Sequence, residues 1–200
     1  KLQRAIESDR MGRVKEVGEE IAFALSLAQE VSRLHALRES GALPTRVTHN
    51  DTKINNVLMD EATGKALCVI DLDTVMPGLV LYDFGDLVRT TTISTAEDER
   101  DASRVSMRLP MFDALVRGYL STARDFLTKE EIAQLAFSGK LITFELATRF
   151  LADHLNGDIY FKTHRPNHNL DRFRVQAALI EDIDRQFDQM QAVVSRHSGH

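Results

Sequence analysis

The sequence predicts an α+β chain, mostly helical, with one small β-hairpin. Three observations carry that expectation. Apolar residues from Ile21 to Leu34 recur at spacings of three and four, as on one face of a helix. Two short β-prone runs, Asn56 to Met59 and Ala66 to Ile70, flank the turn-like segment Asp60-Glu61-Ala62-Thr63-Gly64-Lys65. From Pro110 onward the apolar residues return to helical spacing and keep it almost to the end.

Residues 1 to 12 mix charges around Met11-Gly12 and predict no defined element. One long helix is expected from Val14 to Arg38, burying Ile21, Ala24, Leu25, Ala28, Val31 and Leu34, with Gly41 and Pro44 stopping it. After the hairpin, residues 76 to 81 read as a turn and an extended run. Tyr82 through Arg89 begins a helix that Thr90 to Thr95 fray, because β-branched residues and Ser lower helix propensity. Asp83 is placed to cap that helix. Residues 92 to 104, TISTAEDERDASR, lack periodicity and predict an exposed loop whose acidic run is a solvated face. Pro110 suits the first turn of a helix running to Thr122. Thr128-Lys129-Glu130-Glu131 matches a capping box and opens a helix carrying Ile132, Leu135, Leu141, Phe144, Leu146 and Phe150 to Leu155. A last helix spans Leu170 to Ser195. Between the two, Gly157 to Asn169 is long for a connection and rich in hydrogen-bonding groups, which marks a functional loop. His164 and His168 stand four apart there, but Pro166 breaks the helix that a metal-binding pair at that spacing needs.

Composition narrows the class. With 43% hydrophobic and 28% charged residues the chain has the balance of a globular protein. A net charge of −5 argues against nucleic acid or an anionic membrane as partner. No apolar run approaches the roughly 20 residues that cross a bilayer, and no signal-peptide pattern opens the chain. Cys68 is the single cysteine, so no internal disulfide can form, and the cytoplasm is the expected compartment.

The chemistry gathers at the hairpin. His49, Asp51 and Asn56 spell H-x-D-x-x-x-x-N, and the second β-prone run empties into Asp71. Transfer of a phosphoryl group from a nucleotide needs a carboxylate to orient the acceptor hydroxyl and oxygen ligands to hold Mg²⁺ against the phosphates. Asp51 can be that base. Asn56 can offer an amide oxygen to the metal, and Asp71 a carboxylate from the far strand. Lys53 would balance charge on the transferred phosphate. Asp73 is the rival metal carboxylate, since two residues on in an extended stretch it points the same way as Asp71.

The stretch THND-T-K-x-N-N, then CVIDLDTVMPG, then YDFGD resembles the catalytic and metal-binding loops of the aminoglycoside-phosphotransferase-like, or choline-kinase-like, small-molecule kinases. It is most similar to the bacterial N-acetylhexosamine 1-kinases, over about residues 15 to 190. The resemblance implies the C-terminal lobe of a protein-kinase-like fold: a helical arm (1–45), a catalytic and metal-binding hairpin region (46–91) and a helical substrate-binding subregion (92–200). It implies ATP and Mg²⁺ as cofactors and a sugar as acceptor. By the same resemblance Asp51 is catalytic, Asn56 and Asp71 hold the metal, Lys53 contacts phosphate, and His49 supports the loop. Arg149 and Tyr160 would contact the sugar; the plainer alternative pairs Arg149 with Glu145 and lets Tyr160 pack.

Thr90 departs from the family pattern, where a larger aromatic residue is expected, so the acceptor stays open among N-acetylhexosamines, other sugars, choline, homoserine and aminoglycosides. The absence of Trp speaks against choline, whose cation wants aromatic faces. A non-catalytic lobe that binds a sugar or a partner is the reading from another class. No Gly-rich loop or strand lysine precedes the catalytic segment. The resemblance therefore implies an N-terminal nucleotide-clamping lobe outside this sequence, inactivity of this lobe alone, and an exposed surface that can dimerise.

Overall fold

A computed structural model of the chain describes residues 1–199. Its regular elements are α1 (Leu2–Ser8), α2 (Gly18–Ser26), α3 (Arg33–Glu39), β1 (Arg46–Thr48), β2 (Val57–Met59), β3 (Ala66–Val69), β4 (Met76–Gly78), α4 (Val80–Thr92), α5 (Leu109–Ala123), α6 (Lys129–Ala133), α7 (Leu135–Leu155) and α8 (His168–Ser198). The chain is thus mostly helical, with two small antiparallel sheets, β1 with β4 and β2 with β3. Two compact units interleave along the sequence. The first comprises residues 1–33, 93–107 and 143–185; the second comprises 34–92, 108–142 and the residues from 186 onward.

In the first unit Ile21 and Ala24 of α2 are buried with Phe144, Phe150, Leu151 and Leu155 of α7 and with Leu170 and Phe173 of α8. Residues 2–8, with no expected element, form α1, because Ala5 is buried in that same core. The acidic stretch of 92–104 is not simply solvated. Asp98 accepts from Arg165 at 2.8 Å and from His168 Nε2 at 3.0 Å, and Ile93 bridges to Met107. His168 Nδ1 accepts the backbone N–H of His164 at 3.1 Å. With one ring nitrogen donating and the other accepting, His168 keeps no lone pair for a metal.

The second unit packs α4 against α5 and the first half of α7. Phe84 meets Phe112 edge to face with centroids 6.4 Å apart, and both are fully buried. Helix α4 can lie this close to α7 because Gly85 faces the backbone of Ser138, where any Cβ would collide. The Glu131 carboxylate closes the capping box at Thr128 and also accepts from Arg46 Nε at 2.7 Å, which ties β1 to α6.

Several helices differ from expectation. The single helix over Val14–Arg38 is broken at residues 27–29, leaving α2 and α3 separated by a 3-10 turn at Glu30–Ser32. Ile21 and Ala24 are buried in the first unit and Leu34 in the second, while Leu25 and Val31, expected on the buried face, are exposed. Likewise Gln134 interrupts the expected 128–155 helix, separating α6 from α7. Helix α4 runs through Thr92 instead of fraying: Val88 and Thr92 are fully buried on it, and the hydroxyls of Thr90, Thr91 and Thr92 are each satisfied by a carbonyl four residues back.

Candidate active site

Two β-pairings aim the site. Between β2 and β3, Val57 faces Val69 and Leu58 faces Cys68, with an irregularity at Leu58/Met59. The turn joining them is tied by Asp60, which accepts from the N–H and hydroxyl of Thr63. Past the strands the ladder takes one more bond, from the N–H of Ile70 to the carbonyl of Asn56 at 2.9 Å. Asn56 and Ile70 therefore mark the mouth of the hairpin, and Asp71 is the next residue out. Between β1 and β4, Thr48 faces Met76, which brings the loop after β1 beside the turn that follows Asp71.

That loop is held from several sides. The backbone N–H groups of His49 and Asn50 both donate to the Asp83 carboxylate, at 2.8 and 2.7 Å. Thr52 donates its hydroxyl to the Asp83 carbonyl, and Thr74 donates to the carbonyl of His49. Asn50 adopts the left-handed region at φ 64°, which Asn tolerates. Asp83 is thus not the cap of its own helix. Helix α4 begins earlier, at Val80, and the carboxylate serves the catalytic-loop backbone instead. Nothing in the sequence marked this role beyond a carboxylate in an otherwise buried helix turn.

Asp51 stands at the centre. Its Oδ2 accepts from Lys53 Nζ at 2.7 Å and from Asn56 Nδ2 at 2.9 Å. Burial pushes the Asp51 carboxyl up, but the hydrogen bonds from Lys53 and Asn56 and the nearby charges of Lys53 and His49 outweigh it. The net result is a carboxyl below its usual range. Asn56 is buried, and its Nδ2 also donates to the Asp51 carbonyl at 2.8 Å. Both amide hydrogens are engaged, so Oδ1 is the atom Asn56 has to offer a cation.

Lys53 is held charged, first by its bond to Asp51 and then by the fields of Asp51, Asp71 and Asp86, against the opposing effect of burial. Asp86, not singled out by its sequence context, accepts from the Arg89 guanidinium at 2.9 Å. His49 donates from Nε2 to the Ile70 carbonyl at 3.0 Å, joining the loop to the hairpin mouth. Its other ring nitrogen is buried with no hydrogen-bond partner among the described residues.

Asp71 is exposed and left-handed (φ 63°), and among the described residues no hydrogen bond or ion pair engages its carboxylate. An aspartate in that backbone region is strained by about 1 kcal/mol or more. Asp73 lies in a 3-10 turn at Leu72–Thr74, not an extended stretch, so the alternation that would point it with Asp71 does not apply.

Among the described residues no group of three His, Cys, Asp or Glu side chains is placed to hold a metal. Magnesium shared with nucleotide phosphates needs only one or two protein oxygens, and a free carboxylate at Asp71 with the Oδ1 of Asn56 fits that need. A model of the phosphotransferase enzyme family matches residues 1–119, more than half of the chain and the whole of this site. The chain belongs to the phosphotransferase enzyme family. In this phosphotransferase His49, Asp51, Lys53, Asn56 and Asp71 all lie in the second unit.

Arg149 and Tyr160 belong to the first unit and meet each other. Arg149 Nη2 is 3.3 Å from the Tyr160 hydroxyl, and its guanidinium carbon lies 5.6 Å from the Tyr160 ring centre and 5.4 Å from that of Phe161. Glu145 is also near, at 3.6 Å, as the plainer alternative for Arg149 expects, but Tyr160 is exposed and not packed away. The segment carrying Tyr160 hangs from Asp153. Its two oxygens accept the backbone N–H groups of Ile159, Tyr160 and Phe161 and the side-chain amide of Asn169.

Proposed function

We propose that this phosphotransferase moves the γ-phosphoryl group of ATP to the anomeric hydroxyl of an N-acetylhexosamine, giving the sugar 1-phosphate. The observation that carries the reading is the pairing of an ionised Asp51, aligned by Asn56 and Lys53, with the unengaged carboxylate of Asp71 at the hairpin mouth. A bound Mg²⁺ would offset the negative charge of the nucleotide phosphates. Asn56 Oδ1 and Asp71 would be its protein ligands.

Asp51 orients the acceptor hydroxyl and receives its proton as attack proceeds. An anomeric hydroxyl is more acidic than an ordinary alcohol, so a carboxylate of low basicity suffices. Lys53 has three N–H donors, so it can keep its bond to Asp51 while another meets a phosphoryl oxygen. His49 acts as support, since its Nε2 proton is engaged by a backbone carbonyl. Arg149 and Tyr160 would donate to sugar oxygens. The apolar side chains that the hairpin leaves exposed, among them Leu58, Leu67, Val69 and Leu72, are the surface a nucleotide-clamping lobe would cover in this reading.

Thr90 favours keeping other acceptors in the test. Its hydroxyl donates to the Asp86 carbonyl at 2.8 Å, so no aromatic wall stands at that position. The protein carrying the nucleotide-clamping lobe that this reading implies is assayed with Mg²⁺-ATP and a panel of N-acetylglucosamine, N-acetylgalactosamine, glucose, choline, homoserine and an aminoglycoside. Transfer is expected to the N-acetylhexosamines and to fall by about a hundredfold or more in Asp51→Asn, with the fold kept. Full turnover by that variant would remove Asp51 from the mechanism, and transfer to another acceptor alone would overturn the substrate.

A further inference from the structure

The first unit has an open cavity of about 480 Å³ between α1, the second half of α7 and residues 159–161. This is the size range of small-molecule sites. Its wall is basic. Arg4 and Arg10 reach it from the N-terminal segment and Arg149 from α7, while Asp153 is the one carboxylate on the wall.

Asp153 forms no ion pair with those arginines among the described residues; its oxygens accept from three backbone N–H groups and Asn169. Among the described residues Arg4 and Arg10 are exposed and have no hydrogen-bond or ion-pair partner. Two guanidinium groups without an ion partner share one cavity wall with a single carboxylate, which leaves local positive charge there in a chain of net charge −5. Beside them stand Tyr160, 72% exposed, and Phe161, with ring centres 4.8 Å apart, which offer an apolar face.

We propose that this cavity is an anion-selective site for a phosphorylated monosaccharide, with Arg4 and Arg10 determining the preference for the phosphorylated over the neutral sugar. The sugar half of the inference rests on the reading of Arg149 and Tyr160 given above; the anionic half rests on Arg4 and Arg10 alone. A guanidinium presents paired N–H donors that match two phosphate oxygens, and charge-assisted bonds of that kind are the strong ones. The ring C–H face of the sugar lies against the aromatic pair. The same charge turns away cationic ligands such as choline or an aminoglycoside.

Isothermal titration of the chain compares N-acetylglucosamine 1-phosphate, N-acetylglucosamine, inorganic phosphate and adenosine monophosphate. The sugar phosphate is expected to bind at least about tenfold more tightly than any of the other three. The double variant Arg4→Gln, Arg10→Gln, with its helicity checked by circular dichroism, should abolish the difference between phosphorylated and neutral sugar. Equal affinity for the two sugars overturns the proposal, as does an unchanged preference in the double variant. Inorganic phosphate binding as well as the sugar phosphate would mean a bare anion site, and tighter adenosine monophosphate would mean a nucleotide site; either overturns it. No binding of the sugar phosphate at millimolar concentration does so as well. Phosphoryl transfer and its loss in Asp51→Asn are read separately, so turnover of the neutral sugar without discrimination sinks only this inference. Discrimination without turnover sinks only the kinase reading.

Discussion

The carboxylate of Asp83 carries the backbone of His49: it accepts that residue's N–H at 2.8 Å while also taking the N–H of Asn50. Two successive backbone donors converging on one anion form a small anion-binding nest, filled here by the protein's own side chain. Asp51 follows directly, so its position is set through Asp83.

Replacing Asp83 by Ala leaves two N–H groups without their charged partner. The expected loss is about 2–4 kcal/mol of stability, since each hydrogen bond to a charged group contributes roughly 1.5–3 kcal/mol. Urea unfolding reads this directly. Phosphoryl transfer should fall further than stability alone explains, because Asp51 loses its anchored loop. A variant as stable and as active as the parent would mean the loop holds its shape without Asp83.

Lys53→Ala tests the electrostatics of Asp51. Hydrogen bonds and charge from Lys53 help hold the Asp51 carboxyl below its usual range against the effect of burial, so removing the lysine raises it. In the proposed mechanism the ionised form is the working one, and activity is therefore lost at a higher pH on acidification. The acid limb of the rate–pH profile should move upward in this variant, alongside a lower maximal rate. An acid limb that stays in place would assign it to another group.

Glu131 supplies an acid-sensitive tie between β1 and α6. Burial alone would raise its carboxyl, but hydrogen bonds from Arg46 and the Thr128 N–H, with the charge of Arg46, bring it below its usual value. A folded-state pKa lower than the unfolded one gives stability that is present above the unfolded value, near 4.5, and is lost as pH falls through the folded one. Glu131→Gln should cost about 2–4 kcal/mol near pH 7 by leaving Arg46 without its ion partner. The gap between variant and parent should narrow on acidification below about pH 4.5, as both are followed by thermal unfolding. A gap that widens instead would reverse the assigned sign.

Asp153→Ala should release the segment that bears Tyr160. Three backbone N–H groups and the Asn169 amide lose a common acceptor, and hydrogen exchange at residues 159–161 is expected to rise by about tenfold or more. Protection unchanged at those three amides would show that packing against Phe150 is enough to hold them.

Local elements whose causes lie within a few residues are legible in the order of the amino acids. The Thr128–Glu131 capping box, the Pro110 start of α5 and the hairpin turn at Asp60–Lys65 each form where neighbouring residues place them, because caps and turns close over three to five positions. The spacing from His49 through Asp51 and Asn56 to Asp71 was legible for the same reason: one short hairpin returns the chain to its own mouth. Tertiary structure alone decided what depends on contacts far along the chain. The long N-terminal helix is broken at residues 27–29, with Ile21 buried in one unit and Leu34 in the other, a partition that no helical period can reveal. Asp83 reads as a cap until His49, thirty-four positions earlier, is seen to rest on it. Arg4 and Arg10 read as ordinary charges until α7 brings Arg149 to the same cavity wall. A side chain's type and its neighbours in sequence say what it can bind, and only the packed backbone says what lies within its reach.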